Sequence, residues 1–564
     1  MLGAVQAETT MRTLVWQSFR PLVVVLLFCT TCWAEEPVDL SVVHRIKAEA
    51  FQHSKVMDHL FQITDRNGPR LTASPNYDQA ASWVVQQLKD YGIQSVHLEK
   101  WGPFGRRWSY DRFHIELLEP QYAPLIGFPL AWSAGTNGPV KAEPVLTLFN
   151  TERHADPEKL KAEIEKYKST YKGQLKGKIV LLNWPRNLGL QAKPSSTRLS
   201  DGDLNTVYLA PEPRVPRQFD YSKMKIPEVP EERDQFFAQA PPQFRDIYRD
   251  KLKEVMEPLY AFLREEGTVA ILSMDTRGDG GTVFGESVGS WDAKYPLAPP
   301  SVRLTPEHYG RIARLIEKKV PVSLQLDLQV KASAENIEAS NVVAEIPGTT
   351  RSDEIVMLGA HFDSWIGGTG ATDNGVGSAV VLEVMRILKA LAFKMPRTVR
   401  LALWSGEEQG LLGSKAYVKE HFGDPVTVQI KPEQGKVSSY FNLDNGSGKI
   451  RGVHLQGNDA ARPLFEAWLA PFRDQGVTTI SIRDTGGTDH ESFDAVGIPG
   501  FQFIQDGLEY GTRTHHSNMD VYDHTQPGDL MQAAAVMATV VYNAATRTEM
   551  VPRKPLPEPR PLKP

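Results

Sequence analysis

Residues 354–404 read EIVMLGAHFDSWIGGTGATDNGVGSAVVLEVMRILKALAFKMPRTVRLALW. Two apolar runs of strand length, EIVMLGA and VRLALW, flank a segment in which Val376, Ala379, Val380, Val384, Ile387, Leu388 and Leu391 share one helical face. Apolar strands joined by an amphipathic helix make a βαβ unit, whose strands are parallel and covered on both faces. From about Asn336 to Met550 the pattern continues outward, with SSYFNLD, GVHLQG, ISIRD and GFQFIQ separated by helical segments. This predicts an α/β fold, a mostly parallel mixed sheet with helices on both faces. Such sheets bind ligands at the carboxyl ends of their strands.

The residues at those ends are acids and imidazoles. EIVMLGA is followed by His361 and Asp363, and the loop WIGGTGAT brings Asp373. VRLALWSG leads to Glu407 and Glu408, SSYFNL to Asp444, and GFQFIQ to a loop with His515, His516 and Asp520. Carboxylates that converge without a cation repel one another, so acids gathered with neutral imidazoles point to divalent metal, and zinc suits mixed N and O donors. Each residue alone has a plainer reading. Asp373 fits a helix N-cap, Glu407–Glu408 a pair of solvated loop acids, His361 a satisfied interior histidine and His515–His516 a polar turn. Their joint placement after successive elements of one sheet favours the metal site.

The strings GAHFDSW, GATDNGVGS, WSGEEQGLLGS, NLDNGSG, GGTDHESF and HHSNMD occur in this order across residues 359–520. In that order they resemble the co-catalytic zinc exopeptidase family of the bacterial leucyl aminopeptidases, and within it the carboxypeptidase Q-like peptidases that carry a protease-associated insert. The resemblance implies two zinc ions per chain. Asp373 would bridge them, His361 and Asp444 would complete one, and Glu408 and His516 the other. His516 is preferred to His515 because the family pattern sets the ligand four residues before an acid, here Asp520. Glu407 is implied as general base toward a hydroxide shared by the metals, and Asp363 as the carboxylate that hydrogen-bonds the His361 imidazole. Val521 departs from the threonine frequent in relatives, outside the ligand set.

The implied substrates are short peptides, with no preference legible between amino and carboxyl ends. Gly368 in the loop Gly367–Gly370, Tyr510 and Arg513 are the candidate substrate contacts, and Arg513 reads equally well as a surface side chain. Two other functions compete, a glutaminyl cyclase-like enzyme with a single zinc and a receptor-like binding protein without activity. The presence of both His361 and Asp444 argues for two ions, and the retained Glu407 argues for an enzyme.

The flanking sequence sets the expected domain plan. Arg12 and Arg20 precede an apolar run from Pro21 to Ala34, too short for a membrane helix of about 20 residues. Residues 1–34 therefore read as a secretory signal cut near Ala34, with Met11 an alternative start. Residues 35–129 open the peptidase domain, 130–335 form a β-rich insert that resembles the protease-associated domain, 336–550 carry the site, and 551–564 are a Pro-rich tail. Prolines at 211, 213, 216, 227, 230, 241 and 242 make residues 211–242 a long loop.

Both cysteines, Cys29 and Cys32, fall in the signal, so the cleaved chain forms no disulfide. Lys plus Arg number 63 against 68 Asp plus Glu, a net charge of −5, which excludes a dedicated nucleic-acid binder. The expected product is secreted or periplasmic and keeps no stable membrane insertion. Its oligomeric state, a homodimer included, is not legible.

Overall fold

Asp39 starts the first helix, Leu40–Gln52, by accepting the N–H groups of Ser41 and Val42 on its carboxylate, and Ser74 caps Pro75–Asp90 in the same way through the N–H of Tyr77. In the second of these helices Ala80, Ala81, Val84 and Leu88 are buried, as the helical period requires. A computed structural model describes residues 36–149, 157–210, 242–444 and 446–558. The signal segment 1–34, all of the Pro-rich loop 211–242 but its last residue, and residues 559–564 of the tail lie outside the described residues.

The helices cover a large mixed sheet. Its strands run in the order Thr479–Ser481, Ile450–His454, Gly500–Gln505, Val437–Asn442, Arg351–His361, Arg397–Trp404, Ser323–Ile346, Ser95–Glu119 and Ala123–Pro124. The four strands from Gly500–Gln505 to Arg397–Trp404 are parallel to one another, and antiparallel strands flank them on both sides. The helix Val376–Ala390 is buried along its length from Val376 to Leu388, polar Ser378, Glu383 and Arg386 included. One apolar face would leave it half exposed. It is enclosed because the helix Pro527–Thr546, itself Ala- and Val-rich, packs on its other side together with Leu40–Gln52.

Residues 130–335 are less β-rich than expected. A second sheet holds the short strands Gly127–Pro129, Ser301–Leu304, Ala270–Ser273, Ile179–Leu181 and Pro144–Leu146, all but the first parallel. The helices Pro157–Tyr171, Pro242–Glu265 and Pro306–Glu317 accompany it, because their apolar residues recur at the helical period between charged ones. At residue 335 the chain does not break. Ser323–Ile346 is one strand paired along its length with Ser95–Glu119, from Ser95 opposite Glu345 to Glu119 opposite Ser323.

The tail is extended from Val551 onward and lies on the protein. Arg553 donates to the carbonyls of Gln434 and Val437, and Lys554 bonds the carbonyl of Gln456 and pairs with Asp494. No helix among the described residues is long and apolar enough to cross a membrane.

Candidate metal centre

The topology fixes where the acids and imidazoles go. His361 is the last residue of its strand, Glu407 and Glu408 follow Trp404, Asp444 follows Asn442, and the loop after Gln505 carries Tyr510, His515, His516 and Asp520. Because these four strands are adjacent and parallel, their carboxyl ends open at one edge. Asp373 reaches the same edge from the loop between His361 and the following helix. That helix begins at Val376 without a side-chain cap, so the N-cap reading of Asp373 is not realised.

Asp373 stands between two imidazoles. Its Oδ1 lies 3.2 Å from His361 Nε2 and its Oδ2 lies 3.2 Å from His516 Nε2. Asp444 Oδ1 is 3.4 Å from His361 Nε2, and Glu408 Oε2 is 3.0 Å from His516 Nε2. Donor atoms of His361, Asp373 and Glu408 all fall within 4.8 Å of one another, as do those of Asp373, His515 and His516. The Tyr510 hydroxyl donates to Asp373 Oδ1 at 3.0 Å. All of these residues, with Glu407, line a cavity of about 190 Å³ whose wall also includes Arg249, Lys415 and Glu491.

The backbone around the cavity is held by buried polar groups. Arg70 is fully buried and donates to the carbonyls of Phe362, Thr369 and Gly370 at 2.7, 2.8 and 2.9 Å, and so fixes the loop that leads to Asp373. Gly370 has φ +68°, and a Cβ there would lie 2.3 Å from the Ser364 Cβ, so only glycine fits. Asp520 accepts the N–H and hydroxyl of Thr372 at 2.5 and 2.8 Å.

The resemblance implies that Asp363 bonds the His361 imidazole through its carboxylate. The imidazole Nδ1 instead lies 3.1 Å from the main-chain oxygen of Asp363, and the carboxylate is 3.7 Å away. That carboxylate is already engaged by the Thr72 hydroxyl and by the N–H groups of Glu407 and Glu408.

Burial and crowding dominate the electrostatics. Burial pushes Glu407 well above the usual carboxylate range, and Asp444, Asp489 and Glu408 add to the effect against the opposing His361. Glu408 is pushed up to about 8 by burial and then by Asp373. Burial lifts Asp489 to about 8 and Asp520 to about 7. Burial lowers both imidazoles, yet Asp444 and Glu407 hold His361, and Glu408 and Glu286 hold His516, well above the ordinary histidine value. Asp373 is held well below the usual range, since the attraction of the facing His361 and His516 rings outweighs its burial.

Asp373 Oδ2 and Glu408 Oε1 are buried without a hydrogen-bond partner among the described residues. A buried excess of acids, orphaned carboxylate oxygens and two imidazole nitrogens aimed at them together fit zinc-type divalent cations.

Two expected substrate contacts lie elsewhere. A Cβ on Gly368 would lie 2.4 Å from the Asp520 carbonyl, so this glycine serves close packing, outside the cavity wall. Arg513 faces Glu509 at 3.5 Å and is more than a third exposed, as a surface arginine. Tyr510 does line the cavity. His515 stacks on His516 at a centroid distance of 3.7 Å and stands 3.8 Å from Asp373 Oδ2.

Three residues at the site carry no local sequence signal. Arg70 follows a proline in an irregular stretch, and Asp489 lies inside GGTDHESF, whose polar residues all read equally well as a loop. Glu286, from the second-sheet region, contacts His516 Nδ1 at 2.5 Å.

Residues 341–541 match the model described as Peptidase family M28. The chain is 26% identical over 499 residues to carboxypeptidase Q of Bos taurus, which spans 88% of this chain and 86% of that one. It is 34% identical over 215 residues to the probable leucine aminopeptidase 2 of Arthroderma benhamiae, which spans 36% of this chain and 40% of that one. Among solved structures, the peptidase M28 precursor of Shewanella amazonensis superposes with a TM-score of 0.60 at 24% identity, covering 92% of this chain and 98% of the other. BSAP, a zinc aminopeptidase from Bacillus subtilis, superposes with a TM-score of 0.51 at 17% identity over 87% and 94%. These two likenesses show the fold. The matched segment covers the strands and loops that carry the site, and the chain is a hydrolase of the metallo-exopeptidase type related to carboxypeptidase Q.

Proposed function

We propose that the chain is an exported dinuclear zinc exopeptidase of short peptides, with Glu407 as its general base. Asp373 would be shared by the two ions, His361 and Asp444 would hold one, and Glu408 and His516 the other. The observation that carries this reading is the pair of contacts on Asp373, one carboxylate oxygen toward each imidazole Nε2 at 3.2 Å. Zinc in such a site supplies Lewis acidity, which polarises a carbonyl and acidifies water.

The chain's own residues supply the rest. Glu407 accepts the proton of the attacking water on a carboxylate oxygen and returns it to the departing amine. It must be ionised to do so. The surplus of buried acids that lifts its pKa here is what cations in the same cavity neutralise. The Tyr510 hydroxyl, in the cavity wall, donates to Asp373 and steadies its carboxylate. The cavity of about 190 Å³ has room for a single residue beside the proposed ligands. One relative is named a carboxypeptidase and another an aminopeptidase, so both peptide ends belong in the test. The signal-like residues 1–34 support export.

Zinc stoichiometry measured with product analysis of di- and tripeptides, free or blocked at either end, tests the reading. Two zinc equivalents per chain and release of a terminal residue from unblocked peptides are expected. A folded chain that takes up no zinc, or that cuts doubly blocked peptides internally, would overturn it.

A further inference from the structure

We propose that Glu286 is a positioning residue for His516, so that the region inserted before the catalytic segment supplies a working part of the metal centre. The inference rests on the reading of His516 as a metal ligand and adds to it what fixes that imidazole.

An imidazole that binds a cation through Nε2 carries its proton on Nδ1, and that N–H needs an acceptor. Glu286 Oε1 lies 2.5 Å from His516 Nδ1, while Nε2 of the same ring faces Glu408 and Asp373. The two histidines differ in this respect. His361 turns its Nδ1 to a neutral main-chain carbonyl, whereas His516 turns it to a carboxylate, which fixes the tautomer more strongly and makes the ring a better donor to a cation.

The backbone repeats the arrangement. Phe284 and Ser517 form an antiparallel bridge. Gly285 N–H donates to the His516 carbonyl at 3.0 Å, Val283 N–H to the Asn518 side chain at 2.7 Å, and Asn518 N–H back to the Val283 carbonyl at 3.1 Å. On its other side the same segment bonds Ala131, through Ala131 N–H to the Glu286 carbonyl and Val288 N–H to the Ala131 carbonyl. His516 has φ +63°, a left-handed backbone that a non-glycine residue keeps only when its surroundings impose it. The segment from Val283 to Val288 thus holds both the main chain and the ring of His516.

Zinc binding by chelator competition is to be compared in the wild type, Glu286→Ala and Glu286→Gln, alongside the tautomer of His516 read by nitrogen-15 NMR of histidine-labelled, metal-free protein at a pH high enough for the ring to be neutral, with His516→Gln to assign the signal. In Glu286→Ala one of the two zinc equivalents should weaken by about 10- to 100-fold, the other staying unchanged, and the Nδ1–H tautomer of His516 should lose its dominance. Glu286→Gln keeps an acceptor oxygen and should recover most of the affinity. Wild-type affinity for both equivalents in Glu286→Ala, or an equal loss in both variants with an unmoved tautomer, would sink the inference and leave the dinuclear reading standing. A wild-type chain that binds no zinc would overturn both.

Discussion

The carboxylate of Asp363 accepts the main-chain N–H of Glu407 at 3.2 Å. Its other oxygen accepts the N–H of Glu408 at 3.3 Å and the hydroxyl of Thr72 at 2.8 Å. One buried acid therefore orients the turn that carries both the proposed base and a proposed ligand. Asp363→Asn leaves the shape but replaces one acceptor oxygen by an amide that repels a facing donor. Turnover should fall by about 10- to 100-fold, as expected when a catalytic group is misplaced, with KM changed little and both zinc equivalents retained. Wild-type kcat in a folded, zinc-loaded variant would dismiss the orienting role.

Glu407 tests the chemistry itself. Glu407→Gln keeps the size of the side chain and removes its ability to take a proton. The variant should bind zinc and melt like the wild type, yet lose turnover on any cleaved peptide by a factor of about 10² or more. Comparable turnover at saturating substrate would assign the base elsewhere.

Much of this site is legible in sequence because parallel strands export one property to the tertiary level. Whatever follows EIVMLGA, VRLALW, SSYFNL and GFQFIQ must emerge on one edge, so His361, Glu407, Glu408, Asp444 and His516 gather without any knowledge of side-chain contacts. Periodicity does not reach contacts between loops. Glu286 lies in an irregular, glycine-flanked stretch far from His516 in sequence, and nothing local announces a bond across that gap.

Arg70 is hidden for the same reason. A lone arginine reads as a surface residue, and only the folded loop offers it the carbonyls that make burial affordable. Spacing from His361 says that Asp363 is close but not which of its atoms faces the ring, and here it is the main-chain oxygen. The long ribbon of Ser95–Glu119 and Ser323–Ile346 is obscured by register shifts near Trp101, Arg106 and Tyr110, which interrupt the two-residue alternation.

As the proposed shared ligand, Asp373 should link metal binding to stability. A ligand shared by both ions cannot be lost for one alone, so Asp373→Ala should bind neither zinc equivalent tightly and should melt like wild type stripped by a chelator. Wild type with excess zinc should melt above both. A variant that keeps two equivalents at wild-type affinity would show that Asp373 is not shared.

His59 gives a pH dependence away from the site. Its ring is buried against Glu383, with Nδ1 3.7 Å from Glu383 Oε2 and Nε2 2.6 Å from the Tyr91 hydroxyl. Burial lowers its pKa from 6.5 to about 4, against the pull of Glu383. Glu383 cannot offer a full counter-charge, because its oxygens already hold Arg386 and the N–H of Lys55. Below pH 6.5 the unfolded chain takes up a proton here that the folded chain refuses until pH 4. The stability tied to neutral His59 is thus whole above pH 6.5 and drains away as the pH falls toward 4, by on the order of 3 kcal/mol at 1.36 kcal/mol per pH unit. His59→Gln removes the titrating group, so the drop in Tm from pH 7 to pH 5 should be smaller in the variant than in the wild type. Equal drops in the two proteins would mean that the ring is not held neutral by the fold.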